Sequence, residues 1–137
     1  MKRTTIKSIL AGALLSFTMS GAALAAAGTP QSVDVKQGAA LQSSGALLLD
    51  VREADEYAQG HAPGSTLIPL GQLSQRLHEI ARYKDQPVVL ICHSGRRSAQ
   101  AQKILEQAGF SAASSIDGGM VGWKKAGLPV VSGPASR

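Results

Sequence analysis

The sequence predicts an α/β domain with a central, mainly parallel five-stranded sheet and helices on both faces. Three observations predict it. From residue 32 onward, short apolar runs alternate with stretches of helical spacing, and no repeat or low-complexity segment interrupts them. Two of the runs, "ALLLDV" (46–51), apolar until the charge of Asp50 near its end, and "PVVLI" (87–91), apolar throughout, read as strands buried on both faces. The length, 137 residues, suits one domain and is too short for two comfortable ones.

Residues 1–25 are expected to lie outside that domain. Lys2, Arg3 and Lys7 make a basic start, and "SILAGALLSF" is an apolar run too short to span a bilayer. "SGAALAAAG" then places small residues at Ala23 and Ala25. That order describes a secretory signal peptide, cut after Ala25 or alternatively after Ala27, and hence a periplasmic location. No stop-transfer pattern follows, so no membrane association is expected once the signal is removed. Residues 26–31 read as a flexible lead-in, 32–132 as the domain and 133–137 as a tail.

Within the domain, "SVDV" (32–35) is a short first strand, and a weak helix runs through Ala39, Ala40 and Leu41. "ALLLDV" is the second strand, "EADEYAQ" (53–59) one or two helical turns, and "HAPGS" a turn punctuated by Pro63 and Gly64. "STLIPL" (65–70) is a third extended piece. In "GQLSQRLHEIARYK" (71–84), Leu73, Leu77, Ile80 and Ala81 fall on one helical face. After the strand "PVVLI", residues 98–110 put Ala101, Ile104, Leu105 and Ala108 on one face, with Gly109 as the stop. "AASSI" (112–116) is a weak strand, "GGMVGWKKAG" (118–127) a short helix entered through two glycines, and "LPVV" the close.

The charge excludes one class of partner. The net charge of +5 falls to +2 once Lys2, Arg3 and Lys7 are removed, and no basic stripe is interleaved with aromatics. No nucleic acid is expected to bind. Cysteine usage is more informative, because the chain contains a single cysteine, Cys92. An exported protein normally pairs its cysteines as disulfides, so a lone thiol is either buried and inert or retained for reactivity.

Its surroundings favour reactivity. Cys92 leaves a strand at the carboxyl end of the sheet, where ligands of such folds gather. The residues that follow, "HSGRRS", must turn the chain into a helix starting near Ser98. Gly95 permits an unusual backbone conformation there. Backbone N–H groups of such a turn form an anion cradle, and the helix dipole and the charges of Arg96 and Arg97 add to it. All of these favour thiolate over thiol, giving an activated sulfur nucleophile that needs no histidine base. The competing reading is a structural cysteine under the sheet, with arginines that only solvate a helix start.

Three segments together resemble the rhodanese family. They are "LLLDVREADEYAQGHAPGSTLIPL" (47–70), "CHSGRRS" (92–98) and "SIDGGMVGWKKAGLPV" (115–130), in the right order and spacing across essentially the whole mature chain. The chain is most similar to single-domain rhodaneses, including exported phage-shock-type ones. The resemblance implies a rhodanese-like α/β sandwich and thiosulfate sulfurtransferase activity without metal or organic cofactor. Cys92 would carry a sulfane sulfur as a persulfide, and the backbone of His93, Ser94, Gly95, Arg96, Arg97 and Ser98 would surround the substrate. The donor would be thiosulfate or a similar small anion, the acceptor cyanide or a thiol, and the protein a monomer. Ser65 and Leu67 depart from the family's usual residues and read as packing variation.

Other conspicuous residues receive structural readings. His93 reads as an exposed loop residue, His61 as turn-fixing and Trp123 as a core plug. Asp50 and Arg52 read as an ion pair at the end of a buried strand. Glu53, Asp55 and Glu56 form a charged first helical turn, favourable to the helix dipole, and no metal is assigned to them. Two other functions compete with sulfur-transfer catalysis. Phosphatase-like and arsenate-reductase-like loops resemble Cys-x5-Arg, but here Arg97 gives the shorter Cys-x4-Arg and Ser98 stands one place later. A persulfide carrier or binding module that delivers sulfur to a partner protein needs the same thiolate, and stays open.

Overall fold

The computed structural model describes residues 32–136, so the expected signal peptide and lead-in lie outside the described residues. The elements in chain order are β1 (Ser32–Val33), α1 (Val35–Ser43), β2 (Leu47–Asp50), α2 (Ala54–Gln59), β3 (Thr66–Leu67) and α3 (Leu70–Arg76). A 3-10 segment (Leu77–Tyr83), β4 (Val88–Ile91), α4 (Arg96–Gln107), β5 (Ala113–Ile116) and α5 (Gly119–Lys125) follow. The five strands form one sheet in the order β1-β5-β4-β2-β3. Every pairing is parallel, a stricter arrangement than the mainly parallel sheet expected.

Strand periodicity sorts the apolar residues into two cores. Leu47, Leu49 and Val51 of the second strand and its end share one face with Val88, Leu90 and Cys92. There they meet Leu73 of α3, Ile80, and Ala101 and Leu105 of α4. The alternate residues Leu48, Val89 and Ile91 turn the other way, against Val33, Ile116, Met120 and Trp123. This alternation aims the Cys92 side chain at the face covered by α4. Ser115, two residues after Ala113 on β5, points to that face as well.

Local chemistry fixes the element ends. Asp34 and Gln37 cap α1 reciprocally, each side chain accepting from the other's backbone N–H. α4 ends in a Schellman arrangement. Phe110 N–H donates to Leu105 O (3.0 Å) and Gly109 N–H to Glu106 O (3.1 Å), with Gly109 at φ +90°. Trp123 is buried, as a core plug should be, and its indole N–H donates to Pro129 O at 2.8 Å.

The helix expected over 71–84 is two pieces. α3 stops at Arg76, and the chain continues as 3-10 turns with three residues per turn. That period lines up Leu77, Ile80 and Tyr83 against the core and turns Ala81 out to solvent, correcting its expected place on the buried face. α4 also starts two residues before Ser98, because Gly95 takes φ +107° and serves as its N-cap. Arg96 and Arg97 therefore sit in the first helical turn.

Candidate active site

Cys92 follows β4 at the carboxyl edge of the sheet, 1% exposed. Gly95 N–H donates to its sulfur at 3.0 Å, and the Ser98 hydroxyl lies 3.5 Å away. Burial alone would push the thiol's pKa up. The Ser98 hydroxyl and the backbone N–H groups of Ser98, Gly95 and Ser94 outweigh it, and the pKa falls below its usual value. The thiolate is thus stabilised by hydrogen bonds to the charged form, without a histidine.

Ser98 is itself fully buried and held from behind. Its hydroxyl lies 2.7 Å from that of Ser115 and 3.1 Å from Gly95 O. With the sulfur ionised, Ser115 can donate to Ser98 while Ser98 donates to the thiolate, so every hydroxyl proton has an acceptor. Ser115 carried no functional assignment from the sequence. Two serines in a strand as buried as "ASSI" were the available signal, since buried hydroxyls need partners.

Among the six loop residues singled out with Cys92, Ser94, Gly95 and Ser98 present groups to the sulfur, whereas the side chains of His93 and Arg96 are exposed. Arg97, whose charge was expected to add to the anion cradle, is paired with an acid. Its guanidinium forks onto the Glu56 carboxylate at 2.6 and 2.8 Å, tying α4 to α2. That hydrogen bonding drives the Glu56 pKa down to about 2 against the opposing effect of burial, so the pair is ionised throughout the neutral range. Glu56 raises the Arg97 pKa in return, and the charge of Cys92 adds to the effect. Arg97 therefore bears on the sulfur, with its charge shared. Glu56 was legible only as a dipole-compensating residue, because its partner lies 41 positions away.

The rim is braced structurally. Asp50 and Arg52 form the expected buried ion pair at 2.8 Å, and Arg52 also donates to Gly60 O at 2.9 Å, joining the end of β2 to the end of α2. His61 stacks on Tyr57 with ring centroids 3.6 Å apart, accompanies an Nδ1 contact to Tyr57 O at 2.8 Å, and bridges to Val131 through the backbone. Those contacts fit a turn-fixing residue. α5 closes the other side. Met120 N–H donates to Cys92 O at 2.8 Å and Val121 N–H to His93 O at 3.1 Å.

The Ser98 hydroxyl gives a testable contribution. Its hydrogen bond to a charged sulfur should be worth about 1.5–3 kcal/mol, or roughly one to two pKa units. In Ser98→Ala the Cys92 pKa rises, so thiolate is lost at low pH and regained only at higher pH. The acidic limb of the iodoacetamide alkylation rate is expected to move up by about that span. A limb that stays in place would show that the backbone donors alone set the thiolate.

Comparison with known proteins agrees with this geometry. Residues 34–126 match the family model for the rhodanese-like domain. A protein called sulfurtransferase from Allochromatium vinosum is 40% identical over 86 residues, covering 63% of this chain and 78% of the relative. YrkF of Bacillus subtilis, described as a candidate sulfur carrier protein, is 40% identical over 76 residues, 56% of this chain. The match spans only 40% of YrkF. Among solved structures, a thiosulfate sulfurtransferase from Pseudomonas aeruginosa superposes with a TM-score of 0.70 at 29% identity, covering 80% of this chain and 21% of that one.

Proposed function

We propose, from the premise that this chain belongs to the rhodanese-like domain family, that it moves a sulfane sulfur from thiosulfate or a similar donor to a thiol or cyanide through a persulfide on Cys92. The observation that carries the reading is a buried thiol at the carboxyl edge of the sheet, held by Gly95 N–H at 3.0 Å with the Ser98 hydroxyl 3.5 Å away, contacts that favour the thiolate. The Cys92 thiolate attacks the outer sulfur of thiosulfate. The sulfur–sulfur bond of the donor breaks, sulfite leaves with the electron pair, and Cys92 holds the persulfide anion. A thiolate or cyanide then attacks the outer sulfur, and the electron pair returns to Cys92. The Ser94, Gly95 and Ser98 donors that stabilise the thiolate also suit the anion formed one bond further out. The family likeness to a sulfur carrier supports a second reading with the same chemistry, delivery of the persulfide to a partner protein instead of rapid turnover. Mass spectrometry after thiosulfate treatment tests the common step, and the expected product carries one extra sulfur, removed by cyanide. An unchanged mass would sink both readings.

The two arginines are expected to differ in their effect on the donor. Thiosulfate is a dianion approaching a thiolate, so nearby positive charge should matter in the encounter and the transition state. Arg97→Ala is expected to lower kcat/KM for thiosulfate roughly tenfold, about 1.4 kcal/mol. A smaller loss is expected for Arg96→Ala, whose exposed charge acts at a distance and fades with salt. Kinetics of both variants at low and high ionic strength check this. Parental values for both at low salt would leave the backbone alone holding the anion.

Export belongs to the same proposal. The basic, apolar and small-residue zones of residues 1–25 stand in the order of a cleavable signal. The first residue found by N-terminal sequencing of cell-envelope protein is expected near Ala26, and retention of Met1 would refute it.

A further inference from the structure

Beside the Cys92 loop lies a shallow cleft of about 470 Å³, lined by Arg52, His93, Met120, Val121, Lys124 and Lys125. Met120 and Arg52 are buried and form its floor, while Val121, Lys124 and Lys125 are exposed. Spaced i, i+3 and i+4, these three make one outward stripe of α5. The stripe continues beyond the helix, since Val130 and the Lys124 ammonium both approach Gly60 within 4 Å of where a side chain would start. Val121 is 48% exposed and Val130 38%, two of the three large apolar side chains left exposed among the described residues.

The lysines of this ledge have no ion-pair partner among the described residues. Among the described residues, the ion pairs are Arg52–Asp50, Arg76–Glu79 and Arg97–Glu56, and none involves Lys124, Lys125 or Arg96. A small hydrophilic donor has no use for two exposed valines lying outside the thiolate cradle. An acidic protein surface does, because its carboxylates meet the lysines while its apolar side chains cover the valines. The ledge is also continuous with the chemistry, as the backbone N–H groups of Met120 and Val121 hold the carbonyls of Cys92 and His93.

We propose that the outward stripe of α5, with Val130, is the docking surface for an acidic acceptor protein whose cysteine takes the sulfur from Cys92. This rests on the sulfur-transfer reading and adds the class of acceptor. The docked thiolate attacks the outer persulfide sulfur and the sulfur–sulfur bond to Cys92 breaks. The electron pair returns to the Cys92 sulfur, and the partner leaves as the persulfide. No oxidant or reductant is consumed.

The full chain is tested with five probes. They are an acidic peptide with one cysteine, the same peptide with serine in its place, a lysine-rich cysteine peptide, mercaptosuccinate as a small dianionic thiol, and 2-mercaptoethanol as a neutral one. Fluorescence anisotropy of the labelled serine peptide reads docking without sulfur chemistry, and single-turnover transfer from thiosulfate-loaded protein reads delivery. The acidic peptide is expected to bind and to take sulfur about tenfold or more faster than the lysine-rich one at low salt. The double variant Lys124→Glu, Lys125→Glu should remove the binding and the preference, while transfer to neutral 2-mercaptoethanol is unchanged. Val121→Asp, a single exposed change, should weaken binding independently. Equal binding by parent and double variant, or equal transfer to both peptides, overturns the proposal. Lysine-dependent transfer to mercaptosuccinate without peptide binding also overturns it, in favour of a small acidic thiol. Lysine-dependent peptide binding by a protein that never loads sulfur would uphold the docking surface and refute the sulfur-transfer reading instead.

Discussion

Cys92→Ser is expected to abolish persulfide formation and sulfur transfer while the domain stays folded. The chain contains no other cysteine, so no second thiol can take over. A serine hydroxyl does not ionise at neutral pH and cannot carry a sulfane sulfur as a thiolate does. The site would still satisfy the new group, because Gly95 N–H can donate to an oxygen and Ser98 lies within reach. What the variant loses is the packing of a polarisable sulfur in the cluster that holds Val51 and Leu90. One buried polar-for-sulfur exchange with partners in place should cost about 1–2 kcal/mol, well within the stability of a domain this size. Circular dichroism and urea unfolding check the fold, and mass spectrometry after thiosulfate checks the chemistry. Sulfur uptake at the parental level would place the reactive atom elsewhere, and an unfolded variant would favour the inert, structural cysteine instead.

The parts of this molecule that were legible in the sequence are those encoded locally. Continuous apolar runs at 46–49 and 87–91 announce strands buried on both faces, and the glycine and arginines after Cys92 announce a turn into a helix. The thiolate loop could be placed because all its parts lie within seven residues. What escaped depends on how distant elements meet. Leu73, Leu77 and Ile80 fit a 3.6-residue period as well as a mixed α and 3-10 course, so only the structure shows Ala81 turned outward. Arg97 reads as an unshared charge until α2 brings Glu56 against it. Ser115 reads as a residue of a weak strand until the parallel register places it under Ser98. In each case the missing information is the relative position of two elements, which residue spacing does not contain.

Gly119 is the clearest instance, and Gly119→Ala is expected to cost more stability than any surface change near the site. The "GG" pair at 118–119 reads from sequence as a permissive helix entry. The structure makes the second glycine obligatory for two separate reasons. Its φ is +51°, in the left-handed region, where a side chain costs roughly 1–2 kcal/mol. In addition, a Cβ there would collide with the backbone oxygens of Cys92 and His93, which no rotamer change can relieve. These are the same carbonyls that Met120 and Val121 N–H groups hold, so displacing α5 to make room breaks both hydrogen bonds. Overpacking of this kind adds about 1–3 kcal/mol, for a total loss on the order of 2–5 kcal/mol. Gly71 on α3 provides the control, since a Cβ there meets nothing within 4 Å and Ala is the better helix former. Gly71→Ala should leave stability level or raise it by about 0.5–1 kcal/mol. Because α5 braces the peptide that carries Cys92, Gly119→Ala should also slow sulfur uptake under conditions where the protein remains folded. Urea unfolding of both variants, with sulfur loading measured below the transition, decides the matter. Equal midpoints for Gly119→Ala and the parent would mean that α5 can shift without cost, and that its contact with the thiolate loop does not hold the site in shape.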